Sequence, residues 1–502
     1  MAEATWVGGD GTGAEQTDYG RTANWSGGVV PDADDHVIVA NTGHNCKLDA
    51  NREAASLTIN SSATLDGSGA KLSIKSEGDS SEGTDGYAVD IDGIIAGNLD
   101  LEITTAATTS VDIAPSSGTI RHLTINHASF IGTILGPTTI TGNLTITAGE
   151  LKTAGSNDLT VTGDVSVTGT LTGNASAISM GSLRIESGGT YSATSGTTTI
   201  TDEASTGYAW YNIGTFTHND GNVEFNHSES HLRENTFYDL NINCSSSSGY
   251  IQWREVSGNA LTVANDLTVT SGRFKRNTTT DTLTVTGDVD IAANGILGKA
   301  NAYSGANNFG SLTIASGGEY NATSGTTTIT GANSNNHALE GTGTFTHNDG
   351  TLEFSNAGFR MPKSGTFNNV TVNGISSTGG IHCMSYSMLP HGVMPDGTSD
   401  NETISILGKL HIKNDDFRPY QVGDIFIHHL EIGDGTGSAE TAMFGINADD
   451  VFDGKVVVDN VTIHSDGKLR FGDGDETSTT VGSSAMEVRG AFRNIGGSID
   501  IV

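Results

Sequence analysis

Two carboxylates at short spacing are the first residues in this chain whose types could do chemistry. Asp90 and Asp92 alternate along Val89-Asp-Ile-Asp-Gly93, which places both on one face of a predicted strand. Glycoside hydrolysis uses such a pair, one carboxyl as acid and the other as base or nucleophile. The same spacing is typical of an outward strand face that ends in a turn, and we adopt that interpretation. The sequence therefore predicts no catalytic residue and no enzyme.

Short acidic glycine loops are candidates for calcium, which prefers flexible, oxygen-rich loops. They lie at residues 8–11, 433–435 and 472–476, and Asp473, Asp475 and Glu476 of the last loop are the predicted metal ligands. No loop fits an EF-hand, so turn formation is the preferred interpretation. Calcium is the one cofactor that the sequence leaves open.

The tetrapeptide His-Asn-Asp-Gly occurs at His218 and again at His347, each time with a glutamate downstream, Glu224 and Glu353. Imidazole and carboxylate groups at this spacing are compatible with a metal site that occurs twice along the chain. Because Asn-Asp-Gly also favours left-handed turn conformations, we predict instead a turn between strands.

Aromatic residues form two local groups. Tyr208, Trp210 and Tyr211 make the first group, and Tyr250 and Trp253 make the second. If their rings shared an exposed face, they would form a platform on which sugars stack. An equally good interpretation is a packing patch against a neighbouring subunit, and both stay open at this point.

The elements that must position these residues are short strands with an alternating pattern. An apolar residue, a polar residue and a second apolar residue recur along the chain, which predicts strands with one face inward and one face outward. Twelve such triplets are Leu57–Ile59, Leu123–Ile125, Leu144–Ile146, Leu159–Val161, Leu183–Ile185, Leu240–Ile242, Leu267–Val269, Leu283–Val285, Leu312–Ile314, Val370–Val372, Leu410–Ile412 and Val461–Ile463.

A bend often separates two such strands. In Leu159-Thr-Val-Thr-Gly163-Asp164-Val165 the Gly-Asp pair permits a sharp turn, after which the strand resumes on a new face, and the phrase returns at Leu283. Strands that turn corners at regular intervals predict a parallel β-solenoid, an all-β fold in which each coil contacts its neighbours. A β-sandwich array and an intertwined fibre are the alternatives.

A long internal duplication supports a repetitive fold. Residues 181–225 match residues 310–354 at a constant offset of 129, including Gly-Thr-Phe-Thr-His-Asn-Asp-Gly in both copies. We predict an N-terminal cap and first coil at 1–54, in which Trp6 and Trp25 cover the core end. A repetitive solenoid at 55–380 follows, and an irregular loop with C-terminal β coils at 381–502 completes the chain.

Composition excludes several functions. The chain has 24 Lys and Arg against 58 Asp and Glu, a formal charge of −34, so it lacks the cationic residues that nucleic-acid binding needs. Its three cysteines are too few and too far apart for a disulfide framework. No segment has the length and apolar character of a membrane span, and no basic and apolar leader follows Met1. We expect synthesis in the cytoplasm without a signal peptide and no membrane insertion.

The tryptophan-bearing start of the chain, with Asn24-Trp25-Ser-Gly-Gly-Val-Val-Pro31 and Asp34-Asp-His-Val-Ile38, resembles the entry motif of repetitive bacterial and phage surface proteins. Their Leu-Thr-Val-Thr-Gly-Asp-Val coils are similar to residues 55–375. The resemblance implies a right-handed parallel β-helix of the kind found in adhesins, phage tailspikes, tail fibres and capsid decoration proteins.

The expected function follows from that resemblance. We expect a rod-like structural protein of the virion surface that serves particle architecture or host-surface attachment. Its expected partners are other virion proteins, host-surface glycans and further copies of the chain, as a trimer. An exported bacterial adhesin at the cell surface is the alternative, and a polysaccharide-degrading tailspike is the second alternative.

Overall fold

In the computed structural model of this protein, the described residues are 2–9, 16–76, 86–234, 236–254, 260–299, 303–355, 360–362, 365–374, 381–383, 403–419, 424–436, 442–446, 455–471 and 485–501. The chain divides into two compact units, unit 1 (Met1–Glu234) and unit 2 (Asn235–Val502). Apart from a short 3₁₀ helix at Thr22–Asn24, the regular elements of the described residues are β-strands. The protein is therefore all-β.

Unit 1 consists of strands of 2–13 residues. Their bounds are β1 Ala2–Thr5, β2 Asp35–Val39, β3 Cys46–Lys47, β4 Arg52–Ala54, β5 Ser56–Ile59, β6 Thr64–Asp66, β7 Lys71–Ile74, β8 Val89–Ile91, β9 Ile94–Ala96, β10 Asp100–Ile103, β11 Thr108–Ile113, β12 His122–Ile134, β13 Thr138–Ile140, β14 Leu144–Thr153, β15 Leu159–Val167, β16 Thr170–Thr172, β17 Ile178–Ile185, β18 Thr190–Ser192, β19 Thr197–Ile200, β20 Tyr208–Asn212, β21 Thr215–Thr217, β22 Asn222–Phe225 and β23 Ser230–Arg233.

The described elements of unit 2 are also β-strands. Its strands are β24 Thr236–Phe237, β25 Asp239–Asn243, β26 Tyr250–Trp253, β27 Ala260–Val263, β28 Leu267–Arg276, β29 Thr282–Leu297, β30 Asn307–Ile314, β31 Glu319–Asn321, β32 Thr326–Ile329, β33 Leu339–Gly341, β34 Thr344–Thr346, β35 Thr351–Phe354, β36 Arg360–Met361, β37 Gly365–Phe367, β38 Asn369–Asn373, β39 Ile381–Cys383, β40 Ile404–Pro419, β41 Ile425–Ile432, β42 Ala442–Ile446, β43 Lys455–His464, β44 Gly467–Phe471, β45 Ala485–Val488, β46 Phe492–Ile495 and β47 Ser498–Ile501.

Strands within each unit pair in parallel, and equivalent residues stack in register. One inward column of unit 1 runs through seven strands that pair one with the next in the sheet, and each member is at most 1% exposed. The column consists of Leu101, Leu123, Leu144, Val165, Leu183, Trp210 and Leu232. A column of unit 2 consists of Leu240, Leu267, Val289, Leu312 and Leu339. Burial of such columns supplies the hydrophobic stabilisation of the fold.

The corners between strands are held by side-chain oxygens. In unit 2 the Asp239 carboxylate accepts the backbone N–H of Asp266 (3.0 Å), and the Asp266 carboxylate accepts that of Asp288 (2.8 Å). The Ser311 hydroxyl then donates to Asp288 (2.7 Å). Asp239 and Asp266 thus each satisfy a backbone amide at a bend, and Asp288 accepts from a side-chain hydroxyl of the next strand.

The sequence correctly predicts the strands and their phase. All twelve apolar-polar-apolar triplets lie in strands, with both apolar residues buried and the middle residue on the outward face. The two Gly-Asp bends are also confirmed, because the pairing register shifts between Val161 and Asp164 and again between Val285 and Asp288. Alternation with a period of two is sufficient to set which side chain enters the core.

Aromatic residues pack together at the start of unit 1. The Trp6 and Trp25 rings meet edge to face at 5.2 Å, and Tyr19 packs on Trp25 at 4.8 Å. Each indole N–H donates to a backbone carbonyl, Trp6 to His44 and Trp25 to Tyr19. The sequence predicted that both tryptophans cover the core end, and in the structure they are 0% and 2% exposed. Tyr19, which is also buried, was missed.

Candidate functional site

Three large side chains of unit 1 stack on its outward face. Arg184 of β17, Tyr211 of β20 and Arg233 of β23 occupy equivalent positions in successive parallel strands. The guanidinium carbons of Arg184 and Arg233 lie 4.3 Å and 5.1 Å from the centre of the Tyr211 ring. Arg233 also donates a hydrogen bond to the Tyr211 hydroxyl (2.8 Å). We call Arg184, Tyr211 and Arg233 the arginine–tyrosine stack.

The stack is anchored by neighbouring polar groups. Arg184 donates from Nε and Nη2 to the two carboxylate oxygens of Glu186, and this ion pair raises the pKa of the guanidinium. Tyr208 packs edge to face on Tyr211 at 5.2 Å and lies 5.7 Å from the His231 ring. A guanidinium anchored over an aromatic ring keeps its remaining N–H donors in a fixed direction, which suits carboxylates and sugar hydroxyls.

A row of hydroxyl side chains precedes the stack in the same outward column. Thr124, Thr145 and Ser166 occupy the three strand positions before Arg184, and Glu102 precedes them. Neighbouring strands are about 4.8 Å apart, so the three hydroxyl residues cover on the order of 10 Å along the column. The outward column therefore changes from short side chains at Thr124, Thr145 and Ser166 to long ones at Arg184 and Tyr211. Both sets carry hydrogen-bonding groups.

The structure corrects the prediction for Trp210. Its side chain is 0% exposed, because the strand phase puts it in the inward column between Leu183 and Leu232. Its ring packs on Phe216 at 4.8 Å, and its N–H lies 3.4 Å from a carboxylate oxygen of the buried Glu234. Trp210 is a core residue and cannot stack against a bound sugar.

Trp253 of unit 2 is corrected for the same reason. It is 1% exposed and packs on Phe274 with ring centres 4.6 Å apart. Tyr250 keeps a partly exposed ring, yet the Lys275 ammonium lies only 3.2 Å from the centre of that ring. Of the five predicted aromatic residues, three tyrosines thus reach the surface, and Tyr211 and Tyr250 carry a cation on the ring.

The second copy of the duplication lacks the stack. At the constant offset of 129, Thr313 and Glu340 replace Arg184 and Tyr211, and Pro362, beyond the matched residues, stands at the offset of Arg233. In unit 2, the amide of Asn333 donates to the Glu340 carboxylate (2.6 Å), which also lies 3.3 Å from His337. The arginine–tyrosine stack is therefore a feature of one copy and not of the repeated scaffold.

Both His-Asn-Asp-Gly segments form turns, as predicted. Asn219 and Asp220 have φ of 49° and 57°, and their counterparts at positions 348 and 349 have 44° and 60°. The side-chain amide of Asn219 donates to the carbonyl of Ala193 (2.7 Å), and that of Asn348 donates to Ala322 (2.8 Å). Across the described ranges, no group of three or more His, Cys, Asp or Glu side chains is placed to hold a metal.

The acidic loops lie partly within and partly outside the described residues. Asp473, Asp475 and Glu476 lie outside the described residues, so their predicted role as metal ligands stays a prediction. In the loop at 433–435, the backbone N–H of Gly435 donates to the buried Asp466 carboxylate (2.9 Å). Asp434 accepts from the backbone N–H of Thr436 (2.9 Å), which is the pattern of a turn.

The carboxylate pair Asp90 and Asp92 gains a third carboxylate neighbour, Asp112, in the structure. Asp90 lies opposite Asp112 of β11 in the parallel register. Burial, followed by the charge of Asp92, raises the pKa of Asp112. The turn interpretation for Asp92 is supported, because it follows the strand end and is exposed.

The sequence did not reveal a buried guanidinium in unit 2. Arg276 is 3% exposed and donates to the carbonyl of Gly305 (3.1 Å) and to the side-chain oxygen of Asn307. Asn307 donates to the Tyr320 hydroxyl (2.7 Å), which is bonded to Thr327 (2.7 Å). Burial lowers the pKa of Arg276. The only signal was its inward position at the end of the alternating strand β28, where an apolar residue was expected.

Comparison with protein-family models, with curated proteins and with solved structures finds no match to this chain. Within the described ranges, no helix has the length and apolar character that crossing a membrane requires. Any functional assignment must therefore come from the residues themselves.

Proposed function

We propose that this protein is a structural component of a virion surface, built as a right-handed parallel β-solenoid with embellished C-terminal coils. The observation that carries the proposal is the register of the inward columns. In the column from Leu101 to Leu232, seven strands that pair one with the next repeat one buried position. Such repetition makes a stiff scaffold whose length is set by the number of layers.

Attachment to a host surface is the role that suits the outward face of unit 1. The arginine–tyrosine stack and the row of Thr124, Thr145 and Ser166 offer fixed donors and acceptors at the spacing of the strands. Sugar hydroxyls and carboxylates are the groups that these side chains recognise. We propose this face as the contact for host-surface glycans, with other virion proteins and further copies of the chain as partners.

The particle role is tested by mass spectrometry and cryo-electron microscopy of purified particles, with an antibody fragment against unit 1 as a label. We expect the protein in the particle at a fixed copy number and the label on its surface. A protein that is absent from particles and present on a bacterial cell surface would overturn the proposal in favour of an exported adhesin.

The glycan contact is tested on the 502-residue chain with an array of neutral and carboxylated oligosaccharides. The variant Arg184→Thr with Tyr211→Glu introduces the residues that the second copy tolerates at Thr313 and Glu340, so it should fold. We expect this variant to lose binding roughly 10-fold or more, since hydrogen bonds to charged groups are worth about 1.5–3 kcal/mol. Release of reducing sugar by the wild type would instead favour a polysaccharide-degrading spike.

A further inference from the structure

A row of cations lies on the outward face of unit 2, on the paired strands β26 and β28. In the parallel register Tyr250 lies opposite Arg273, and Gln252 lies opposite Lys275. Arg254 follows the last residue of β26, and its Nε donates to the side-chain oxygen of Gln252 (3.2 Å). This bond places Arg254 on the same face as Gln252. We call Arg273, Lys275 and Arg254 the cation row.

The three cations are evenly spaced along the strand direction. Arg273 and Lys275 lie level with positions 250 and 252 of β26, and Arg254 comes two residues later. Two residues of a strand span about 6.6 Å, so the row is about 13 Å long. A small anion would contact only part of such a row, whereas a linear polyanion can contact all three cations.

Neutral groups hold the row in place. The Lys275 ammonium lies 3.2 Å from the centre of the Tyr250 ring, which is a cation–π contact. The side-chain amide of Gln252, whose oxygen accepts from Arg254, donates to the backbone carbonyl of Arg276 (3.0 Å). Gln252 thus ties Arg254 to the backbone of β28, and the ring of Tyr250 fixes the central lysine.

The guanidinium groups at the two ends of the row lack acidic partners. Among the residues that the structure describes, neither Arg254 nor Arg273 forms an ion pair, and Nε of Arg273 has no hydrogen-bond acceptor. Arg184 of unit 1, by contrast, is paired with Glu186. Because Arg254 and Arg273 are both partly exposed, their charges are available to an anion from solution.

The row is unusual in a strongly acidic protein. The chain has a formal charge of −34, yet β28 contains Arg273, Lys275 and Arg276 and no acidic residue. At physiological ionic strength, charges on the surface are largely screened beyond about 8 Å. An anion at the row therefore interacts with these cations more strongly than with the net charge of the chain.

The composition of this surface favours one class of polyanion. Single-stranded nucleic acid binds through open aromatic rings that stack on its bases, but here Lys275 covers the ring of Tyr250. An acidic polysaccharide instead needs cations at intervals for its carboxylates or sulfates, and polar groups such as Gln252 for its hydroxyls. We propose that the cation row binds a linear acidic polysaccharide on the outward face of unit 2.

This site is separate from the glycan contact proposed for unit 1 and does not depend on it. The test is isothermal titration calorimetry of the 502-residue chain at physiological ionic strength. The probes are polygalacturonate, which carries carboxylates, heparin, which carries sulfates, and uncharged dextran. We expect both polyanions to bind and dextran not to bind. Binding of one polyanion alone would support the proposal and identify the anionic group.

The variant Arg254→Gln with Arg273→Gln should weaken binding about 10-fold or more, because each substitution removes a charge-assisted hydrogen bond to an anionic group. Lys275→Gln removes the central cation and should weaken binding by a smaller factor. Glutamine keeps most of the length of each side chain, and all three side chains are partly exposed, so the fold should be retained.

The variant Lys455→Gln with Arg489→Gln is the matched control. It also removes two positive charges from unit 2, but both cations are exposed partners of Glu487 and lie outside the cation row. We expect this control to bind the polyanions as the wild type does. An equal loss of binding in the control would mean that net charge, and not the row, attracts the polyanion, and would overturn the proposal.

Two further results would overturn it. The first is a wild-type chain that binds neither polygalacturonate nor heparin, including one that binds single-stranded DNA instead. The second is binding that Arg184→Thr with Tyr211→Glu abolishes and the cation-row variants leave unchanged. That result would place the polyanion on unit 1 and support the glycan contact there, so failure of one proposal is distinguishable from failure of the other.

Discussion

The two copies of the internal duplication, 181–225 in unit 1 and 310–354 in unit 2, show which parts of a layer are fixed and which are free. Both copies keep a buried tyrosine, Tyr191 and Tyr320, whose hydroxyl bonds to a buried threonine at 2.7 Å. Both also keep the turn with two consecutive positive φ values. Corners and inward polar pairs are therefore parts of the scaffold.

The copies differ where a side chain can change without moving the backbone. The inward column carries Trp210 in the first copy and Leu339 in the second, and both are fully buried. The outward face carries the arginine–tyrosine stack in one copy, and Thr313 and Glu340 in the other. The difference teaches that a duplicated layer keeps its geometry while its surface acquires a new chemistry.

The largest effect is expected from Trp210→Leu, which gives the first copy the core residue of the second. The loss of ring contacts with Tyr191 and Phe216, and of the N–H beside the buried Glu234, should destabilise the protein by about 2–4 kcal/mol. Urea denaturation measures this change. The reverse variant Leu339→Trp should cost about 1–3 kcal/mol through overpacking. If both variants were neutral, the two cores would be interchangeable and the comparison would fail.

The next effect separates the two buried tyrosines. Tyr320→Phe should cost about 1–3 kcal/mol, because it removes a partner from Thr327 and from Asn307, which also binds the buried Arg276. Tyr191→Phe removes one partner, Thr198, and should cost about half as much. Thermal unfolding of the two variants side by side gives the comparison. Equal losses would mean that the Arg276 network does not depend on Tyr320.

The turns should respond almost equally in the two copies. Asn219→Ala and Asn348→Ala each remove the side-chain hydrogen bond to a backbone carbonyl and force alanine into a left-handed conformation, at a cost of about 1–2 kcal/mol. Asn219→Ala also removes an exposed hydrogen bond to the Ser192 hydroxyl (2.9 Å), which should add about 0.5 kcal/mol. Asn→Gly at each position removes the same hydrogen bonds but tolerates the left-handed conformation, and should cost less. A difference between the copies larger than about 1 kcal/mol would contradict a shared scaffold.

The smallest effect is expected on the surface. Arg184→Thr removes a cation–π contact and an exposed ion pair, which together are worth about 0.5–1 kcal/mol. Thr313→Arg in the second copy gains no cation–π contact, because no aromatic ring stands at Glu340. It exchanges the hydrogen bond from Asn333 for an ion pair with Glu340, so the net change should stay within about 0.5 kcal/mol. A stability loss above about 2 kcal/mol for Arg184→Thr would make the stack a structural element rather than a surface feature.

The sequence predicted the scaffold well because its signals are local. Alternation placed Leu123, Leu144 and Leu183 in the core, and Gly163-Asp164 marked a corner. The same rule would have placed Trp253 inward, had the strand phase been continued from Ile251. It could not place Trp210, because Ala209 and Trp210 are both buried and break the alternation in β20. A preference for exposed aromatics at binding sites led to the opposite prediction for these two residues.

The candidate site was less predictable because it depends on neighbours that are distant in sequence. Arg184, Tyr211 and Arg233 are 22 to 27 residues apart and meet only because three layers share one register. No local pattern fixes that register, since layers differ in length. The hydrogen-bond network around the buried Arg276 could not be predicted from the sequence either. An arginine at an inward strand position is normally interpreted as the end of the strand.

Pairing between neighbouring layers has a consequence for synthesis. Thr124 meets Thr145, and even the long step from Val370 reaches only to Leu410, so each new strand pairs with one made shortly before it. A chain of this kind can order its layers one after another as it leaves the ribosome, without waiting for its far end. An interruption of translation would leave a shorter but properly stacked product, and loss of one whole layer would be far less damaging than loss of part of one.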